Sequence, residues 1–436
     1  MSGAVAAHAA YNGSGTQGLA VTNKIQDQEG DVMSVFWNKN DTTRQLLHGS
    51  TILEVPASGG SGNVSNWNST QIFDINNDID CLGDMYLELS LDGSDITPGA
   101  DNFYFETQTI ATFIQRVEFQ VGTQIWQTLE NQDIMGLAAT EMSEGVYREF
   151  SNQISGRFLM DGTALTSPYN ATQELFTDTP GGASHHLSRA AYIPLKMFTK
   201  SIAPELQHYS EKVEGGYLMA AAPNQQVKIK VFIGAQPAYN GPVDATNLLR
   251  DPKLKLNVRL YAKNIVMCNE EREQMKAMPM GIPKRIKTTQ NASANVSDKL
   301  GVQVIDIDHF SLYASHLLIT FPKVLYSQIT GIELLLNSSS FSGELPTSLL
   351  EIISSSMNLY NNNYIANGED IDKYDTVVFP LASRAYSGSA VPLNRFDNIR
   401  LKIRLASANQ EGQFNITCVG ETTALYKGGA ASLAMY

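Results

Sequence analysis

Acidic residues recur at short spacing in residues 74–80, in the pattern that opens a calcium-binding loop. Such loops place Asp and Asn oxygens at alternating positions, a Gly at the sixth position and a Glu at the twelfth. Here Ile79 stands where the loop needs Gly, and Met85 stands where it needs Glu. We therefore interpret the segment as the polar edge of a strand.

Two further pairs have the residue types of a metal site or a hydrolase. His185 and His186 are adjacent, so their rings point to opposite sides of an extended chain, and no HxH motif or carboxylate partner accompanies them. Asp306 and Asp308 are two apart, which predicts both carboxyls on one strand face, and glycoside hydrolases use paired carboxylates. No further acid accompanies this pair, so we interpret all four residues as solvated surface.

The cysteines and the known catalytic motifs point away from an enzyme. Cys81, Cys268 and Cys418 are far apart in sequence, which excludes a CxxC metal or redox motif and favours three small buried side chains. The sequence contains no GxSxG, Walker A or HExxH motif. We predict no enzymatic activity, no catalytic residue, no cofactor and no bound metal.

N-glycosylation sequons are frequent because the chain is rich in Asn, Ser and Thr. They begin at Asn12, Asn40, Asn63, Asn68, Asn170, Asn291, Asn295, Asn337 and Asn415. The candidate acceptors are Asn170, Asn291 and Asn337, with Asn170 favoured because it lies in a long non-periodic stretch. Since no secretory signal precedes them, the expectation for the sequons as a group is that they stay unmodified.

The composition of the chain indicates the fold class that must position these residues. Charged residues make up only 17% of the 436 residues, and short β-branched runs alternate with Gly, Pro, Asn and Ser, which predicts an all-β protein. The formal charge of −13 and the lack of a basic cluster disfavour direct nucleic-acid binding. The amino terminus resembles no signal peptide, Ser2 excludes N-myristoylation, and no stretch is long enough for a membrane helix, so we expect a soluble protein made in a reducing compartment.

A joint between two β units lies at residues 256–287. Apolar residues alternate from Leu256 in the manner of a strand buried on one face, and residues 269–276 then form a charged helical turn that Pro279 and Pro283 end. We predict four segments: an amino-terminal arm at 1–41, a first unit at 42–268, a helical linker at 269–283 and a second unit with the carboxy-terminal tail at 284–436.

The second unit repeats the order of the first. A hairpin strand at 116–122 with a helix at 131–142 matches a strand at 331–337 with a helix at 346–359. Two later strands match as well: residues 192–195 match 378–381, and residues 226–231 match 398–403. Repeats in the same order indicate an internal duplication. About eight short strands with long connections per unit favour two tandem jelly-roll β-sandwiches, a double jelly roll, with short helices in the connections.

The sequence resembles the double jelly-roll major capsid proteins of nucleocytoplasmic large DNA viruses, such as those of algal viruses. The resembling stretches occur in the family's order at residues 68–93, 113–124, 190–205, 269–286, 377–405 and 424–436. The chain looks like a divergent member, because Met275 replaces an aromatic that often follows the Glu271 and Arg272 pair, and the first sixty residues lack the family's usual opening.

This resemblance implies a capsid protein whose homotrimers form pseudo-hexagonal capsomers that tile an icosahedral shell. The implied partners are neighbouring capsomers, minor capsid proteins and an internal membrane at the inner face, with host-surface or glycan contacts through outer loops at 151–188 and 340–374. The implied location is the virion, after synthesis in the host cytoplasm. The alternatives are a lectin-like double sandwich, which would need aromatic-rich binding loops, and a minor capsid protein of the vertices.

Overall fold

The computed structural model places the chain as strands with few helices. It describes residues 25–26, 32–33, 49–58, 64–75, 78–92, 104–106, 113–147, 150, 172–174, 191–195, 197, 217–235, 255–266, 272–273, 282–296, 301–357, 359–362, 374–383, 385, 390–406 and 412–434. Parts of the predicted arm, linker and outer loops therefore lie outside the described residues.

Besides a 3-10 helix at Met219–Ala221, the described residues of the first half form fourteen strands and one α-helix. They are β1 (Ile25–Gln26), β2 (Val32–Met33), β3 (Gly49–Val55), β4 (Val64–Ser65), β5 (Thr70–Ile75), β6 (Cys81–Asp92), β7 (Tyr104–Glu106), β8 (Ile114–Val121), β9 (Gln124–Glu130), α1 (Asn131–Glu141), β10 (Thr172–Glu174), β11 (Ala191–Leu195), β12 (Tyr217–Leu218), β13 (Val227–Ile233) and β14 (Lys255–Val266).

Besides a 3-10 helix at Leu393–Arg395, the second half has ten strands and two α-helices within the part that the structure describes. They are β15 (Ile282–Val296), β16 (Val302–Asp306), β17 (Tyr313–Pro322), α2 (Lys323–Tyr326), β18 (Ile329–Leu336), β19 (Ser339–Ser340), α3 (Thr347–Ser356), β20 (Tyr374–Pro380), β21 (Val391–Pro392), β22 (Ile399–Leu405), β23 (Gly412–Lys427) and β24 (Ala430–Ala434).

Each half builds two large antiparallel sheets with the same strand order, and β1 with β2 and β7 with β10 form two further two-stranded sheets. Sheet 1 runs β11-β6-β14-β3 and sheet 2 runs β5-β13-β8-β9, while sheet 3 runs β20-β17-β23-β15 and sheet 4 runs β16-β22-β18-β19. In both halves the chain visits the eight positions in the same sequence, crossing between sheets as a jelly roll does. The predicted all-β double jelly roll is therefore confirmed, and so is the order of the predicted repeats.

The cores form where alternate residues of facing sheets point inward. In β13 the buried positions are Val227, Ile229, Val231 and Ile233, with partly exposed residues between them. The equivalent strand β22 buries Ile399, Leu401, Ile403 and Leu405 in the same alternation. The strict period of two fixes which face of each strand joins the core.

The hairpin that precedes each helix also corresponds. β8 and β9 are joined at Gly122, whose φ of 58° is in the left-handed region that glycine adopts without strain. β18 and β19 are joined by Asn337 and Ser338, with φ of 50° and 65°. Two consecutive positive φ values are typical of the tight turns that match the twist of paired strands. β9 runs directly into α1, whereas six residues separate β19 from α3.

Candidate functional site: the seam between the two sandwiches

The candidate functional feature is the contact between the two sandwiches, here called the seam. The first sandwich contributes α1 and β9, and the second contributes the outer face of sheet 3, away from its own core. Strand β17 shows why this face is special, because eight consecutive residues of it are buried. Leu317 and Ile319 belong to the second core, whereas Leu318 between them packs with the first core, as does Val378 of β20. Sheet 3 is thus buried on both faces.

Helix α1 fills the seam. Every residue from Asp133 to Glu141 is buried, so the helix is covered on all sides. Ile134 and Leu137, on one side of the helix, belong to the first core. The opposite side carries Gly136, where an added Cβ would lie 2.5 Å from Thr320 Oγ1 of sheet 3. The missing side chain allows the helix backbone to approach the sheet closely.

Polar side chains fix the amino-terminal end of α1 in the seam. The Thr417 hydroxyl donates to Asp133 Oδ1 at 2.5 Å, and Asp133 Oδ2 accepts the backbone N–H of Glu130 at 2.7 Å. Glu130 Oε2 accepts from Ser293 Oγ at 3.2 Å and from Asn415 Nδ2 at 2.8 Å. Burial raises the pKa of Asp133 to about 7, against the lowering effect of the Thr417 hydrogen bond. One helix terminus is therefore bonded to two strands of the other sandwich.

A buried ion pair lies at the other end of α1. Lys287 Nζ of β15 donates to Glu141 Oε1, and the two side chains are 0% and 1% exposed. His316 of β17 is also fully buried, with its Nδ1 2.7 Å from the hydroxyl oxygen of Ser315. Burial, followed by the nearby Lys287 charge, lowers the pKa of His316 to about 3. Since a charge left alone at this depth is costly, a relative placement of the two sandwiches that separates Lys287 from Glu141 is disfavoured.

Strand β9 extends the seam along β15. Gln127 Nε2 donates to Thr289 Oγ1 at 2.9 Å, with both residues buried. Asn291 Nδ2 donates to the Thr128 carbonyl at 3.1 Å. One of the predicted glycosylation acceptors, Asn291, therefore has its amide engaged between the sandwiches.

The carboxy-terminal strands close the seam at a second place. The rings of Tyr217 and Tyr426 pack with centroids 5.5 Å apart, and the Leu218 N–H donates to the Tyr426 hydroxyl at 3.2 Å. Gln225 Nε2 donates to the Ala431 carbonyl at 3.0 Å, and Gln225 Oε1 accepts the Ala431 N–H at 2.6 Å. The carboxy-terminal hairpin of the second sandwich is thus attached to the first.

The Arg272 side chain ties the predicted linker to the first sandwich. Its Nε and Nη2 donate to Asp80 Oδ1 and Oδ2, each at 2.7 Å, which is the bidentate arrangement typical of strong Arg–carboxylate pairs. Asn264 Oδ1 accepts the Asp80 N–H at 3.1 Å and holds that residue in place. The last acid of the calcium-like segment is therefore a structural anchor.

The first acid of that segment also has a structural partner set. Asp74 accepts from Ser58 Oγ at 2.5 Å and from Gln226 Nε2 at 3.1 Å, and it lies 3.5 Å from Lys228 Nζ. Over the described parts of the chain, no three His, Cys, Asp or Glu side chains are grouped so that they could hold a metal ion.

The prediction that Asp306 and Asp308 share one strand face is wrong. Strand β16 ends at Asp306, which pairs with Arg400 at 2.7 Å, and Asp308 lies in the following turn, where its Oδ1 accepts the Ile399 N–H. The Asp306 carboxyl thus binds the Arg400 side chain, whereas the Asp308 carboxyl binds the backbone N–H of Ile399.

The remaining predicted residues divide between described and undescribed segments. Cys81 and Cys418 are buried, as predicted, and burial raises the pKa of the Cys418 thiol. Asn337 lies in the β18–β19 turn, where its Oδ1 accepts the N–H groups of residues 397 and 398 at 3.0 and 3.3 Å. Cys268, Asn170, His185 and His186 lie outside the described residues. In the part of the chain that the structure describes, no helix has the length and apolarity to cross a membrane.

Sequence reasoning missed the seam residues Asp133, Gly136, Glu141 and Lys287. A signal was present in α1, because the side opposite Ile134 carries small residues rather than the long charged ones of a solvated face. A second signal was the nearly continuous apolar run of β17, which is typical of a strand buried on both faces.

Comparisons with known proteins show what this arrangement is similar to. No protein-family model matches the sequence, and no curated protein matches it. Among solved structures, PBCV-1 VP54, fitted into a reconstruction of the virophage Sputnik, has a TM-score of 0.63 at 12% identity over 91% of this chain and 99% of that one. The PBCV-1 virus capsid model has a TM-score of 0.61 at 13% identity over the same shares. The Faustovirus major capsid protein has a TM-score of 0.59 at 10% identity over 98% and 97%. The likeness is one of fold and extends over both sandwiches.

Proposed function

We propose that this chain is a major capsid protein whose homotrimers form pseudo-hexagonal capsomers that tile an icosahedral virus shell. The observation that carries the proposal is the seam, which holds two jelly rolls of the same strand order side by side. Two similar walls in one chain become six around a threefold axis. The likeness to the Faustovirus major capsid protein and the PBCV-1 capsid over nearly the whole of each chain supports the same role.

The physics of closed symmetry supports a trimer. Head-to-tail contacts between identical chains make a ring when the rotation closes, and three chains with two walls each give a nearly sixfold outline that packs in a plane. Permanent interfaces of this kind bury on the order of 2,000 Å² or more. The buried ion pair and polar contacts of the seam keep the two walls in a constant relation, which a tile requires.

The proposed location and partners follow from that role. In the virion, each capsomer would contact neighbouring capsomers laterally, and minor capsid proteins or an internal membrane would lie at its inner face. Outer loops would meet the host surface or its glycans. The net charge of −13 suits an inner face that contacts proteins rather than bare nucleic acid. Synthesis in the host cytoplasm completes the proposal.

We propose a structural rather than enzymatic role. The acidic residues with a chemical pattern, Asp74, Asp80 and Asp306, are bonded to basic or polar side chains within the fold. The lectin alternative calls for aromatic binding loops. Of the described tryptophans, Trp126 is buried against Tyr217 with centroids 5.3 Å apart, and Trp67 packs edge-on against Phe113 at 5.2 Å. Both contribute to the first core.

Native mass spectrometry of the purified full chain tests the proposal. We expect a species of three chains, and negative-stain electron microscopy should reveal particles of roughly hexagonal outline. A stable monomer at micromolar concentration would contradict the capsomer, and a glycan array would then test the lectin. The copy number in purified particles separates a major capsid protein from a minor vertex component.

A further inference from the structure

Helix α3 of the second sandwich is the counterpart of α1, but it lies in different surroundings. Each helix follows the second strand of the tight hairpin, and the cap residues are Pro346 for α3 and Glu130 for α1. Counting from these caps, Leu349 corresponds to Asp133, and Ile352 corresponds to Gly136. The helices can therefore be compared position by position.

The corresponding positions differ in what covers them. Asp133 and Gly136 are the α1 residues that meet the outer face of sheet 3. Leu349 and Ile352 are 40% and 70% exposed, although Leu350 beside them is fully buried in the second core. Two large aliphatic side chains on one helix face, three residues apart, form an apolar ridge. The side of α3 that corresponds to the seam-facing side of α1 therefore presents two exposed apolar side chains.

A sheet of the matching kind exists at the other end of the chain. In sheet 3, Leu318 pairs with Val378 and Thr417. In sheet 1, Glu88 pairs with Tyr192 and Arg259 in the same way. Glu88 therefore corresponds to Leu318, Tyr192 to Val378 and Arg259 to Thr417. This follows from the strand order and from the repeat of residues 192–195 in residues 378–381. The outer face of sheet 1 is therefore the counterpart of the face that receives α1.

The outer face of sheet 1 has the composition of an interface. We call it the tyrosine face and define it by Tyr86, Glu88, Tyr192, Arg259 and Tyr261. Tyr192 is 43% exposed, and its ring centroid lies 6.4 Å from that of Tyr261. Arg259 Nε lies 3.9 Å from Glu88 Oε1. Tyr and Arg are enriched at protein interfaces because they combine a large apolar surface with polar ends.

We propose that Leu349 and Ile352 of one copy dock on the tyrosine face of a second copy of this chain. The occupant is identified by the chain's own seam, in which the corresponding helix already covers the corresponding sheet. Each chain offers one such helix and one such face, so the contact is head-to-tail, and in the proposed trimer three such contacts would close the ring. The inference rests on the proposed trimer and assigns the residues that form it.

Charge substitution at the ridge tests the proposal. We expect Leu349→Asp with Ile352→Asp to turn the trimer into monomers, raising the concentration of half-dissociation at least about tenfold. The matched control is Val304→Asp, a change at a 55% exposed aliphatic residue of β16, which should leave the trimer intact. Circular dichroism and thermal unfolding check that each variant is folded.

Cross-linking gives a second measurement that does not depend on weakening the assembly. Thr320 is the sheet 3 residue nearest Gly136, and Ser90 is its counterpart in sheet 1. A chain with Ile352→Cys and Ser90→Cys should form disulfide-linked dimers and trimers on oxidation, whereas either single variant should not.

The outcomes separate this inference from the function on which it rests. Suppose that the wild-type chain is trimeric, that the double Asp variant also remains trimeric, and that the cysteine pair fails to link. The docking is then wrong, while the capsomer stands. If the wild-type chain is monomeric, the capsomer and the docking are both wrong. Loss of the trimer in the folded double variant, together with linking of the pair, supports the docking.

Discussion

Helices α1 and α3 occupy the same place in two sandwiches of the same strand order, yet one is an interior element and the other is largely at the surface. Nine consecutive residues of α1 are buried, whereas only Leu350 and Ser354 are buried in α3. The seam-facing residues of α1 are an acid and a glycine, and their counterparts in α3 are Leu349 and Ile352. Helix α1 meets the other sandwich through short polar bonds and close backbone approach, whereas α3 presents the apolar side chains of Leu349 and Ile352 at the surface.

We expect the largest loss of stability when a buried ion pair is broken, and a much smaller loss when an exposed pair is broken. Lys287→Met leaves Glu141 charged and enclosed, and we expect it to lower the free energy of unfolding by about 3–5 kcal/mol. Urea denaturation followed by tryptophan fluorescence measures this. Arg400→Gln, at the exposed pair with Asp306, is the control and should change stability by no more than about 1 kcal/mol.

A double variant tests the reason for that loss. Glu141→Leu with Lys287→Met removes both charges, and it should recover most of the stability because no unpaired charge remains. If the double variant is as unstable as the single one, lost packing rather than an unpaired charge is the cause.

Close packing at Gly136 gives the next largest effect. Gly136→Ala places a methyl group against Thr320 Oγ1 and should cost about 1–3 kcal/mol, because the seam has no room to relax. Gly145→Ala is the matched control, since an added Cβ there meets nothing within 4 Å. Equal stability of the two variants in thermal unfolding would show that the helix can shift away from sheet 3.

The pH dependence of stability should single out Asp133. Its folded pKa of about 7 lies above the ordinary 3.8, so its contribution is fully present below about pH 4 and is lost as the pH rises toward 7. Asp133→Asn cannot ionise, and the variant's stability relative to wild type should therefore rise across that range. Leu349→Ala, at the corresponding position of α3, should show a constant difference. Urea denaturation at each pH unit is the measurement, and a flat Asp133→Asn difference would contradict the assignment.

The smallest expected effect concerns the carboxy-terminal hairpin. Gln225→Ala removes two hydrogen bonds to Ala431 that join the sandwiches, and should cost about 1 kcal/mol and speed proteolysis near the carboxy terminus. Gln226→Ala, which removes an exposed bond to Asp74, should leave the cleavage rate unchanged. Faster cleavage in both variants would mean that general loosening, not the hairpin contact, is being measured.

Local patterns were sufficient for the repeated elements. The alternation in β13 and β22, the turn at Gly122 and the order of the repeats predicted a double jelly roll, because each depends on residues close in sequence. The prediction that failed, a shared strand face for Asp306 and Asp308, depended on where β16 ends. At that end, the Ile399 N–H donates to Asp308 Oδ1. Because these two residues are far apart in the sequence, no local pattern indicates the bond.

The sequence by itself determined the all-β class, the duplication and the inward face of most strands, since side chains in a strand alternate with a fixed period. Only the tertiary structure decided that sheet 3 is covered on its second face and that α1, not α3, is enclosed. The deciding contacts join residues far apart in the chain, such as Asp133 with Thr417 and Glu141 with Lys287. A local pattern indicates that a residue is apolar or charged, but the partner that buries it is selected only when distant segments meet.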